Sequence, residues 1–178
     1  MTAERVLQPG GRAHGTGRLI DISGALRLDP RLPGPPSPTW GGSPEPYSAA
    51  AVPYTLQPDV DRTLLETADV VRCSGVWEGE SFRIDGVDPS AHRLPAFYEP
   101  DVSGAVWITD DEAMNIVRMI PAVPGQQLRE VGFWQRSWDS PECIVVVSLW
   151  AMTPEWSDFS SSVPPGQMVI FTTLDAED

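Results

Sequence analysis

Residues 70–87, VVRCSGVWEGESFRIDGV, alternate apolar and polar side chains on both sides of a Glu-Gly pair. That period of two restricts the segment to an antiparallel β-ribbon. Successive side chains of a strand point to opposite faces, so a register slip of one residue would turn the whole apolar set outward. A two-residue turn at Glu78-Gly79 predicts Trp77 opposite Glu80, Gly75 opposite Phe82 and Cys73 opposite Ile84. It collects Val71, Cys73, Trp77, Phe82 and Ile84 on one face and Arg72, Ser74, Ser81, Arg83 and Asp85 on the other. A ribbon of this kind buries one side and wets the other.

A second ribbon is expected over residues 133–150, FWQRSWDSPECIVVVSLW. Pro141 suits the second position of a turn, so Asp139–Glu142 is read as a four-residue loop. That loop pairs Trp138 with Cys143, Arg136 with Val145, Trp134 with Val147 and Gly132 with Leu149. One face then carries both tryptophans, the cysteine, two valines and a leucine, the composition of a core. Val131, Phe133, Gln135, Ser137, Ile144, Val146, Ser148 and Trp150 fall on the opposite, mixed face. Arg136 is the misfit on the apolar face. It must meet a carboxylate, reach water along its stem, or receive an anion in a pocket walled by Trp134 and Trp138. That trio is the candidate ligand pocket. Trp40 and Trp156, each near proline in expected loops, are candidate exposed contact residues.

Between the ribbons, TDDEAMNIVRMIP reads as a helix. Thr109 and Glu112 form a capping box, Asp110 and Asp111 suit the positive end of the helix dipole, and Pro121 closes the far end. Ala113, Ile116, Val117 and Ile120 recur at helical spacing to make one apolar stripe. GAVWI, SAAAVPYTLQ and QMVIFTTL supply further strands, Pro53 marking the second as an edge or broken strand, and DVDRTLLETA is a candidate short helix. Residues 30–46 hold seven prolines and three glycines and read as an extended linker. The expected fold is therefore α+β: a mostly antiparallel sheet of about five to seven strands packed with one or two short helices, preceded by a Pro/Gly-rich arm. The expected organisation is an arm and linker over 1–46, one domain over 47–174 and an acidic tail over 175–178. RLIDISGALRL supplies one strand by which the arm docks.

Composition limits function. The 12 basic residues are all arginine, so a lysine Schiff base, a lysine nucleophile and a Walker-type phosphate loop are excluded. Net charge is −13, and residues 90–178 hold 4 arginines against 13 acids. Such a surface repels phosphate backbones and anionic membranes and favours basic partners or cations. No secretory leader or membrane span is legible and only two cysteines are present, so a cytoplasmic setting is expected.

Catalytic signatures fail on inspection. GTGRLI lacks the third glycine of a dinucleotide fingerprint, GGSPE misses the last glycine of a nucleophile elbow, and DVDRTL lacks the glycine of a calcium loop. His14, Cys73, His92 and Cys143 are too scattered for zinc. Residues 91–101 gather His92, Arg93, Tyr98, Glu99 and Asp101 in one polar loop, a candidate only if folding brings them together. No metal or cofactor is expected. The reading is a non-enzymatic acidic module acting on another protein, a basic one, in the manner of an inhibitor or immunity-type partner. Neither nucleic acid nor membrane is expected as a partner. Two rivals stand beside it: an enzyme or small-molecule binder with the Trp134/Arg136/Trp138 pocket for an anionic ligand, and a virion or assembly component.

Overall fold

The computed structural model describes residues 5–22, 24–29, 51–60, 63, 70–89, 102–120, 128–137 and 139–177. The fold is α+β, a mixed nine-stranded sheet with two short helices. In chain order the elements are β1 (Arg12–Ile22), β2 (Ala25–Asp29), β3 (Val52–Leu56), β4 (Val70–Trp77), β5 (Phe82–Asp88), β6 (Ile108–Thr109), α1 (Asp110–Met119), β7 (Leu128–Gln135), β8 (Glu142–Ala151), α2 (Pro154–Ser162) and β9 (Met168–Ala176). More strands form than the sequence pattern predicts, because the segment read as an arm supplies two of them and β6 is only two residues long.

The first five strands close on themselves. β1 pairs with β2, β2 with β3, β3 with β5, β5 with β4, and β4 with β1 again. The order β4-β1-β2-β3 is a Greek key, closed into a ring by β5, which runs parallel to β3. Pro53 sits where the β2–β3 ladder is only two residue pairs long, so its missing N–H costs little. Inside the ring Leu28, Val52, Tyr54, Val71, Cys73, Trp77, Phe82 and Ile84 pack with Leu7 and Leu19. Each fully buried aliphatic or aromatic side chain there contributes about 1.5–3 kcal/mol of transfer free energy.

β1 is shared between the ring and the rest of the sheet. Along one edge it holds β4 over Arg12–Arg18; along the other it holds β9 at Ala13–Gly15 and then β2 from Arg18 onward. Gly17 lies at the fork. A Cβ there would overlap the backbone carbonyl of Asp29, so only glycine lets β2 peel away at that point. β9 continues into β8, whose far edge carries β7 and whose start carries β6. Beyond Ala176 the Glu177 N–H donates to the Arg12 carbonyl at 3.0 Å, so the acidic end read as a tail stays on the sheet.

A second core lies between the helices and this sheet: Ala113, Ile116, Ile120 and Trp156 against Cys143, Val145, Val147 and Leu149. α1 starts as its sequence dictates. Thr109 Oγ1 accepts from the Glu112 N–H, and Glu112 Oε2 accepts from the Thr109 N–H at 2.8 Å. α2 begins on Pro154, whose fixed φ and missing N–H suit the first helical turn. Thr-Pro-Glu was thus a legible start signal that the sequence reading passed over. The segment read as a helix from Asp59 lies mostly outside the described residues.

Both ribbons form, each with a corrected register. In the first, Trp77 pairs with Phe82, Val76 with Arg83 and Gly75 with Ile84 around a four-residue loop, Glu78–Ser81, in place of a two-residue turn. The shift is even, so every expected buried residue keeps its face, and Trp77, Phe82 and Ile84 are fully buried. A bulge beside Ser74 leaves Asp85 unpaired and aims it outward, where Arg12 grips it with two nitrogens at 2.8 and 3.2 Å. In the second ribbon Gln135 pairs with Cys143, Trp134 with Ile144, Phe133 with Val145 and Val131 with Val147. That shift is odd, and the β7 faces exchange. Val131 and Phe133 join the helix side with Val145, while Trp134 turns to the opposite side and is 38% exposed.

Candidate functional site

The β7–β8 ribbon ends in a tight loop whose construction explains the odd shift. Arg136 N–H donates to the Glu142 carbonyl at 3.1 Å, making these two the last backbone pair and leaving five residues, Ser137–Pro141, in the loop. The Ser140 N–H donates to the Ser137 carbonyl, and Ser140 Oγ accepts from the Glu142 N–H, each at 3.0 Å. Arg136 Nη1 meets Glu142 Oε2 at 3.0 Å with both side chains well exposed. Of the three fates open to Arg136, the carboxylate partner is the one observed, at the surface and not in an apolar interior. Trp134 lies on the same side of β7, and Trp138 falls outside the described residues.

The remaining candidates divide in the same way. Trp156, expected as an exposed contact, is buried, because α2 turns its indole onto Phe159 edge-on at 5.6 Å and into the second core. Trp40, His92, Arg93, Tyr98, Glu99 and Asp101 lie outside the described residues. Two roles were missed. Trp150 stacks edge-on with Trp77 at 6.3 Å between ring centroids and donates its indole N–H to the Ala51 carbonyl at 3.1 Å, tying β8 to the ring. Phe133, 46% exposed, and Met114 and Met119 on α1 are large apolar groups open to water. Parity of the corrected register exposes Phe133; the helical spacing of Met114 and Met119, off the Ala113/Ile116/Ile120 stripe, already placed them outward.

Charge is distributed unevenly. Three of the ring's arginines are engaged in ion pairs: Arg12 with Asp85 and Glu177, Arg83 with Glu78 at 2.8 Å, and Arg18 with the buried Asp29 at 3.7 Å. The helical layer instead carries Asp110, Asp111, Glu112, Glu155 and Asp158 against Arg118 alone. Asp110–Glu112 stand at the loop end of the ribbon, since Thr109 pairs with Glu142 and Cys143 Sγ donates to Asp110 Oδ1 at 3.6 Å. The Thr109 backbone N–H, then its hydroxyl, holds the Glu112 carboxyl below its ordinary range.

Among the described residues, neither cysteine is poised for covalent chemistry. Burial pushes the Cys73 thiol up to about 12. Cys143 is pushed up to about 11, first by desolvation and then by its bond to Asp110. Neither thiol is a thiolate at neutral pH, and both are shielded. Desolvation first, with Cys73 and Asp21 behind it, likewise raises the buried Tyr54 phenol. Among the described residues no three His, Cys, Asp or Glu side chains are grouped to hold a metal ion, and no helix is long and apolar enough to cross a membrane. Comparison with protein-family models, curated proteins and solved structures finds no significant match.

Proposed function

We propose that this protein is a non-enzymatic interaction module whose acidic second half holds a basic protein, as an inhibitor or immunity-type partner would. The observation that carries the reading is the separation of charge described above. Arg12, Arg18 and Arg83 of the ring are held in ion pairs, while five helical acids face one helical arginine. With a net charge of −13, the field of such a face extends about 8–10 Å into physiological buffer, which steers a basic partner and accelerates encounter. Met114 and Met119 add adaptable apolar contact beside the acids. The anionic-ligand alternative draws no comparable support, because Arg136 already has Glu142.

Native mass spectrometry of the protein purified from its own host tests the proposal. The expected spectrum at low salt shows a 1:1 or higher complex with a protein of basic isoelectric point, dissociating as salt is raised. A tightly held small anion, or a partner that is acidic and indifferent to salt, would contradict it.

A further inference from the structure

Among the described residues, β7 has an open edge. β8 is its one pairing partner among the described residues, and the ring removes the edges at the other end. Which of its backbone groups are free follows from two hydrogen bonds. Arg136 N–H points to β8 and meets the Glu142 carbonyl, which points to β7, while Val145 N–H on β8 points the other way, to Gln167 O beside β9. In an antiparallel ladder such orientations alternate. The N–H and C=O groups of Gly132 and Trp134 are thus turned to β8, and those of Val131, Phe133 and Gln135 to the outer edge.

What protects that edge lies at its start, in the bulge between Leu128 and Glu130 and the charged residues Arg129 and Glu130, leaving Val131–Gln135 without charge. The strand LREVGFWQ has no proline and no lysine, whereas natural edges are commonly blunted by those residues. Its exposed aromatics flank the free backbone on both faces, Phe133 on the helix side and Trp134 on the other. The acids Asp110–Glu112 begin next to β6, across β8 from β7, so a strand added to the outer edge of β7 lies three strand spacings or about 14 Å from them, about one Debye length at about 50 mM salt.

We infer that β7 is where the partner docks: an extended, basic segment adds to its outer edge as a further strand, its backbone on Val131, Phe133 and Gln135 and its cationic side chains toward the acids at the loop end. The assignment rests on the interaction reading above and adds its location and the partner's backbone conformation. A second copy of this chain is disfavoured, because pairing β7 with itself would bring two like-charged surfaces of −13 together. Main-chain bonds supply the affinity in this mode of recognition, and alternate side chains the selectivity.

The test uses the full chain and an alternating arginine–valine peptide of about eight residues, the length of β7. Its fully N-methylated counterpart has equal charge and no amide donors. The expected outcome is binding of the first peptide, weakened at least about tenfold by N-methylation, with slowed amide exchange at Val131, Phe133 and Gln135. Gln135→Pro removes an outward N–H while sparing the bonds to β8; it is expected to weaken the unmethylated peptide by a similar factor, with the thermal unfolding midpoint retained. Phe133→Ser supplies a second reading that leaves the backbone intact and is also expected to weaken it. Equal affinity for both peptides without slowed exchange at the three amides would overturn the edge assignment and leave the acidic-surface reading standing. No affinity for either at low salt would overturn both. Protection of the same amides in a peptide-free dimer would overturn the choice of occupant.

Discussion

Trp77 and Trp134 have the same side chain and opposite surroundings. Trp77 is fully enclosed by the ring core and by Trp150, so Trp77→Ala removes a large apolar area and leaves a cavity, costing about 3–5 kcal/mol. Trp134 stands partly in water on an edge strand, and Trp134→Ala is expected to cost about 1 kcal/mol or less. Urea unfolding of the two variants checks the contrast; equal losses would place Trp134 in a core. Gly17 shows why a residue's role is not always visible in its own chemistry. Its requirement comes from a carbonyl of β2 that approaches from 12 residues away in sequence, and the composition of β1 alone does not predict that approach.

At the scale of elements, local signals were legible and long-range ones were not. The α1 start was readable because Thr109 and Glu112 answer each other within one turn. Thr109→Ala is expected to destabilise the protein by about 1 kcal/mol. The same cap predicts a pH dependence. Glu112 has a lowered folded value, so its contribution is present above the ordinary glutamate value of 4.5 and is lost as pH falls through the lower folded value. Protection factors of the first-turn amides of α1, corrected for intrinsic exchange, should therefore fall below about pH 4 before those of the rest of the helix, and protection that holds constant between about pH 6 and 3 would contradict the cap. The ribbons teach a different point. Alternation fixes which residues of one strand share a face, but the relation between two strands depends on the parity of the loop. An even error at Glu78–Ser81 left Trp77 inside, whereas Ser137 and Ser140 build an odd loop that a proline-centred reading of Asp139–Glu142 did not anticipate. The candidate site inherits that error: Trp134 and Arg136 stay together on one side of β7, but that side is open to water.

For the molecule as a whole, β1 is the member on which both halves depend, since it closes the ring and carries β9. Glycines at 15 and 17 dilute its apolar alternation, and for that reason it reads from sequence as part of an arm although its pairing is central. Charge, by contrast, was legible from composition: of the 13 acids after residue 89 five stand on the helices, and Arg12, Arg18 and Arg83 of the ring are neutralised in place. The proposed function rests on that net field being free to act on a partner. Its most direct measurement is the affinity of the intact protein for the arginine–valine peptide as salt rises from about 50 to about 500 mM, a change that shortens the Debye length from about 14 to about 4 Å. A loss of at least about tenfold is predicted; an affinity that holds constant across that range would contradict the account.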